Sequence, residues 1–97
     1  MNKQAVEVFS RKVTADEYTI WFQSPPEISQ TEWVDRGFGI DGNFVIITVT
    51  DRAYVRDGKI RPRVSGDEPQ SPIEARMDVE GSIAERLGQA GRDVEFK

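Results

Sequence analysis

Phe44-Val-Ile-Ile-Thr-Val-Thr50, continued after Asp51 by Arg52-Ala-Tyr-Val-Arg-Asp-Gly-Lys-Ile-Arg-Pro-Arg-Val64, settles the class of fold. The first run is β-branched throughout and apolar on both faces at its start, which predicts a central, well-buried strand. The second run carries Asp57-Gly58 between two alternating segments. That dipeptide suits a two-residue turn of type I′, which needs positive φ at both positions. The turn pairs Arg56 with Lys59, Tyr54 with Arg61 and Arg52 with Arg63. These six side chains share one face, and Ala53, Val55, Ile60, Pro62 and Val64 take the other. A second reading stays open, in which Thr50 caps a short helix over residues 51–56 and Gly58 ends it.

Working outward toward the N-terminus, Asp41-Gly42 is a second signal of the same kind. Its register sets Gly39 opposite Phe44 and Phe38 opposite Val45, and a glycine beside an aromatic indicates close packing or a bulge. Gly37 and Gly39 do not form a phosphate loop, because no helix start and no Gly-Lys-Ser/Thr ending follows. Ser29-x-x-Glu32 resembles a capping box without a helical apolar run behind it, so residues 27–32 read as a loop with at most one helical turn. Trp33 either anchors that loop in the core or stands exposed for binding. Ser24-Pro25-Pro26 ends the strand Tyr18–Gln23, in which Tyr18, Ile20 and Phe22 share one face. Residues 5–13 form a strand with Val6 and Val8 on one side and Phe9 and Val13 on the other. Thr14 to Glu17 is the turn that makes these two strands a hairpin.

Toward the C-terminus, Ser65 to Ser71 is polar and reads as a surface loop. Ile73-Glu-Ala-Arg-Met-Asp-Val-Glu80 alternates strictly, which predicts a strand with Ile73, Ala75, Met77 and Val79 inward. Ser71-Pro72-x-Glu74 is also a helix start signal, so a helix over the same residues stays open. Gly81 breaks the alternation. Ser82-Ile83-Ala84-Glu85 is a capping box for a helix that buries Ile83, Ala84 and Leu87 and runs to about Ala90, with Gly91 as its stop. Asp93 to Phe96 is a last short strand. The expected fold is α+β: one domain over residues 1–97, a mostly antiparallel sheet of six to eight short strands, and one C-terminal amphipathic helix. The expected core centres on Ile20, Phe22, Val45, Ile47, Val49, Ile60, Met77, Val79, Ile83 and Leu87.

Composition excludes more than it assigns. The 97 residues contain no cysteine and no histidine. Disulfides, thiolate chemistry, histidine-assisted nucleophiles and the common zinc sites are therefore excluded. No apolar run approaches the ~20 residues of a membrane-spanning helix. Met1-Asn2-Lys3-Gln4 lacks the apolar core of a signal peptide, so the expected location is the cytoplasm. Adjacent carboxylates such as Asp16-Glu17 read as turn residues, and no calcium-loop spacing is present. No catalytic residue, metal or cofactor is expected.

What remains is electrostatic. Arg52–Val64 holds five of the thirteen basic residues and one acid, in a chain of net charge −4. Like charges on one strand face are destabilising, so this face calls for an anionic neighbour. In the structural reading, a strand at 73–80 lies alongside and Glu74, Asp78 and Glu80 neutralise Lys59, Arg61 and Arg63. In the functional reading, Arg52, Tyr54, Arg56, Lys59, Arg61 and Arg63 stay open and bind a partner. The partner expected is another protein. The form expected is a small inhibitor or adaptor that occludes a charged, nucleic-acid-processing surface, as a phage or mobile-element protein would. The alternative is weak binding of single-stranded nucleic acid, with Tyr54 stacking a base. A pI near 4.8 argues against that alternative. The acids Glu27, Glu32, Asp35, Asp41, Asp67 and Glu68 are read as solvated loop charges, with mimicry of phosphates as the sharper possibility.

Overall fold

The computed structural model describes residues 4–64 and 70–97. The polar loop expected from Ser65, with Asp67 and Glu68, falls outside the described residues at positions 65–69. The described chain forms β1 (Gln4–Val6), β2 (Val8–Thr14), β3 (Glu17–Gln23), α1 (Gln30–Asp35), β4 (Gly39–Asp41), β5 (Phe44–Val49), β6 (Ala53–Arg56), β7 (Lys59–Pro62), α2 (Pro72–Gln89) and β8 (Val94–Phe96). This is the α+β class, with mostly antiparallel strands and a helix near the C-terminus.

A four-stranded antiparallel sheet in the order β2-β3-β5-β4 forms the body. Strict alternation on β3 and β5 gives it one dry face, on which Tyr18, Ile20, Phe22, Val45, Ile47 and Val49 are buried. The strand expected over residues 5–13 is divided at Glu7. Val6 and Val8 keep the inward period, but β1 pairs in parallel with β8 while β2 pairs with β3. β6 and β7 form a two-stranded sheet of their own. Thr50 caps no helix: its amide donates to the Ala53 carbonyl at 3.1 Å and its hydroxyl accepts from the Arg52 amide at 3.0 Å, turning the chain into β6.

The strand expected at 73–80 is helix, continuous with the helix expected from Ser82. Ser71 caps it, its hydroxyl accepting from the Glu74 amide at 3.1 Å, and Pro72 occupies the first turn, where a missing N–H costs nothing. Ala75, Val79, Ile83 and Leu87 recur every four residues and are fully buried. Half of the alternating set was the wrong half: Ile73 and Met77 are 72% and 66% exposed. Gly81 lies inside the helix, and Ser82 caps nothing. The Ser82 hydroxyl donates to the Asp78 carbonyl at 2.9 Å, one turn back. A glycine inside a helix costs about 1 kcal/mol, whereas each buried Val, Ile or Leu of the ladder contributes about 1.5–3 kcal/mol. The ladder therefore carries the helix through Gly81. The stop at Gly91 is as expected, with φ +73° and the Arg92 amide donating to the Leu87 carbonyl at 2.8 Å.

The ladder of α2, the dry face of the sheet and Trp33 belong to one buried cluster. Trp33 is an anchor: it is fully buried, edge-on to Phe22 at 5.0 Å, and its indole N–H donates to the Ser24 hydroxyl at 2.8 Å. It sits on α1, a short helix over Gln30–Asp35 where residues 27–32 read as a loop, and Ser29 caps it by accepting from the Glu32 amide. Phe38 stacks on Trp33 at 5.2 Å and is buried there, so it leaves the ladder. The hairpin register shifts accordingly: Asp41 stands opposite Phe44 and Ile40 opposite Val45. The turn residues are Gly42-Asn43 rather than Asp41-Gly42.

Candidate binding surfaces

The β6–β7 hairpin has the predicted register, with Tyr54 opposite Arg61, Val55 opposite Ile60 and Arg56 opposite Lys59. The Arg63 amide donates to the Arg52 carbonyl at 2.9 Å, which extends the pairing one step further. Asp57 and Gly58 both adopt positive φ, +54° and +69°, as a type I′ turn requires. Val55 is fully buried and Ile60 packs on the core.

Three fastenings hold this ribbon. The Asp78 carboxylate, projecting from α2, accepts from the Asp57 amide at 2.8 Å and from the Gly58 amide at 2.9 Å. The Gln70 side chain accepts from the Val55 amide and donates to the Val55 carbonyl, as another strand would. The Ile60 amide donates to the Arg36 carbonyl at 2.9 Å. Tyr18 secures the Gln70 end, because its hydroxyl lies 3.1 Å from the carbonyls of both Gln70 and Ser71. Burial, reinforced by the Glu74 carboxylate, pushes the Tyr18 hydroxyl up to about 12, so it remains a neutral donor.

Arg52, Arg56, Lys59 and Arg61 are exposed on the outside of this ribbon, and Arg63 is half-buried. The Arg56 guanidinium lies 5.3 Å over the Tyr54 ring, which is itself half-buried against the core. The ladder of acids expected from residues 73–80 does not exist, because those residues are helical. Glu80 pairs with Arg76 one turn away at 2.9 Å, and Asp78 is spent on the turn amides. Among the described residues no ion pair joins Arg52, Arg56, Lys59 or Arg61 to a carboxylate. Of the acids weighed for mimicry, Glu32 is held by Arg86 through two bonds of 2.9 and 3.0 Å. The Arg86 hydrogen bond keeps the Glu32 carboxyl below its usual range.

A second surface is the outer face of the four-stranded sheet. Residues in register form rows across it: Phe9, Trp21, Ile46 and Gly39 in one, Arg11, Thr19 and Thr48 in the next, and Gln23, Phe44 and Asp41 on the other side. Phe9 stacks on Trp21 at 5.5 Å. A shallow basin of 520 Å³ runs over Trp21, Ile46 and Phe44, with Arg11, Lys12 and Asp41 on its rim. The signal for this face was present in the sequence. Phe9 and Val13 oppose Val6 and Val8, and Trp21 opposes Ile20 and Phe22. No helix of the described chain is long and apolar enough to cross a membrane. Comparison with protein-family models, with curated proteins and with solved structures finds no match.

Proposed function

We propose that this chain is a non-catalytic protein-binding module that presents the β6–β7 hairpin to an acidic surface of a larger partner. The observation that carries the reading is a rigid ribbon with four of its cations unspent. Asp78, Gln70 and the Arg36 carbonyl fix the backbone, while Arg52, Arg56, Lys59 and Arg61 point outward without an ion-paired carboxylate among the described residues. A surface ordered before encounter loses less entropy on binding. Cations on one face and an acidic remainder set orientation and on-rate. Arginine favours carboxylate pairs of fixed geometry. Occlusion of the partner's charged surface, as an inhibitor or adaptor, is the form that suits a domain of this size.

Single-stranded nucleic acid is the weaker occupant. Tyr54 is half-buried with Arg56 laid over it, so its ring is not an open stacking platform. The test is quantitative capture of partners from host extract by the intact chain and by Lys59→Glu with Arg61→Glu. The reversed face is expected to lose the captured protein by more than about tenfold, with the loss confined to the on-rate at low salt. An unchanged captured set would remove the hairpin from the reading. Retention of an oligonucleotide that weakens steeply between about 50 and 200 mM salt would move the reading to nucleic acid.

A further inference from the structure

The outer sheet face is independent of the hairpin. Strand alternation puts Phe9 and Arg11 of β2, Thr19 and Trp21 of β3, Phe44 and Ile46 of β5, and Gly39 and Asp41 of β4 on one side, and Val13, at the β2 bulge, lines the same basin. Phe9 and Val13 are 40% and 55% exposed, and Trp21, Phe44 and Ile46 are half-buried. Contiguous apolar surface of this kind marks an interaction site when charges rim it. Gly39 has no side chain beside Ile46, so the β4 side of the basin stays low. The rim is polar in a specific sense. Arg11 stands at one corner, on the edge strand β2, with Lys12 beside it on the basin wall, and Asp41 stands at the opposite corner, on the edge strand β4. Among the described residues none of these three has an ion-pair partner.

We infer that this face binds a second copy of the same chain. A twofold axis lying between two such faces, diagonal to the strands, exchanges the two corners. Arg11 then meets the second copy's Asp41, and Asp41 meets the second copy's Arg11. The aromatic row of Phe9 and Trp21 crosses the same row of the second copy near Trp21, at the middle of the face. The contact is isologous, as closed dimers require. Sheets crossing near a right angle, about 10 Å apart, are one of the two standard packings of sheet on sheet. A polyanion does not fit a face that is acidic at one end, and a partner of single-sign charge would gain at one corner what it lost at the other. Self-complementary rim charge singles out the chain itself.

The test is analytical ultracentrifugation of the full chain across a wide concentration range, from the monomer mass of 11.0 kDa upward. A doubling of mass with concentration is expected. Arg11→Asp and Asp41→Arg should each weaken association by more than about tenfold, since each sets like charges together at both corners. An equimolar mixture of the two variants should dimerise again, because both corners of the mixed pair are then opposite in sign. Circular dichroism of each variant establishes that it is folded. A constant 11.0 kDa for the unmodified chain would overturn the inference, as would a mixture no more associated than its components. A monomer that binds labelled oligothymidine through Trp21 would assign the face to nucleic acid and overturn it equally.

Discussion

The chain contains two Asp-Gly pairs between alternating runs, and they end as different turns. At Asp57-Gly58 both residues are central, with φ of +54° and +69°. At Asp41-Gly42 the aspartate stays in its strand opposite Phe44, and Gly42, with φ +59°, opens the turn with Asn43 behind it. Positive φ at the first central residue alone is the type II′ pattern. The dipeptide is the same, so tertiary surroundings decide. The first pair lies against α2, where Asp78 accepts both turn amides. The second pair is exposed, its one side-chain tie among the described residues being Gln30 donating to the Gly42 carbonyl at 3.0 Å. There the burial of Phe38 against Trp33 sets how much chain remains for the ladder.

The sharpest way to break this contrast is to add one methyl group to each glycine. A Cβ on Gly58 would stand 2.5 Å from the Ser82 hydroxyl oxygen and 2.9 Å from the Ser82 Cβ. A Cβ on Gly42 meets nothing within 4 Å. Both substitutions carry the left-handed strain of about 1–2 kcal/mol, and only Gly58→Ala adds overpacking of about 1–3 kcal/mol. Urea unfolding should place Gly58→Ala well below Gly42→Ala in midpoint. Equal midpoints would mean that α2 does not brace the hairpin tip.

Removing the side-chain ties comes next in size. Asp78→Ala strips two amides of their acceptor, one of them on the buried Gly58, and should cost about 1–3 kcal/mol. Asp78→Asn keeps a single acceptor oxygen and should recover part of that loss. Gln30→Ala removes an exposed bond and should cost about 0.5 kcal/mol or less. Hydrogen exchange at the Asp57 and Gly58 amides distinguishes local release of the tip from global destabilisation. Only the two amides should speed up in Asp78→Asn if the carboxylate is a local clamp.

What the sequence disclosed follows the same division between local and tertiary causes. The hairpin at 52–63 and its register were legible, because Asp57-Gly58 and the flanking alternation agree with one another, whereas the sequence left open whether its cations are answered by Glu74, Asp78 and Glu80. The buried faces of β3 and β5 were legible for the same reason. The last turns of the helix, from Ser82 to its stop at Gly91, were legible too, but its first half over 72–80 was not, since a window of eight residues from Ile73 to Glu80 satisfies period two as well as a helix. Only the longer spacing Ala75, Val79, Ile83 and Leu87 separates the two, and Gly81 hides it by imitating a boundary. The Asp78 and Gln70 clamps were beyond sequence reasoning, because each joins residues fifteen or more apart whose meeting depends on the helix. The outer sheet face is legible in pattern, since Phe9 and Val13 oppose Val6 and Val8, and Trp21 opposes Ile20 and Phe22, but alternation alone does not separate a binding face from a solvated one.

Titration offers the finest separation of the two turns, because their supports ionise at opposite ends of the pH scale. On the hairpin side, the Tyr18 hydroxyl donates toward the carbonyls of Gln70 and Ser71, and Gln70 in turn brackets Val55. Its value of about 12, above the ordinary 10.0, means that the folded state favours the neutral phenol. That contribution is fully present below pH 10 and is lost as the pH rises toward 12. On the other side, Arg86 holds Glu32 of α1 in its ionised form, next to the helix start that carries Gln30. The folded value lies below the ordinary one, so this contribution is present above the usual carboxylate range and is lost as pH falls through the lowered value. Tyr18→Phe should therefore flatten the alkaline limb of the stability profile and leave the acid limb alone. Glu32→Gln should reduce the acid limb only, and by less, since an exposed pair is worth about 0–1 kcal/mol. If either substitution flattened both limbs, the supports of the two turns would be one coupled network rather than two.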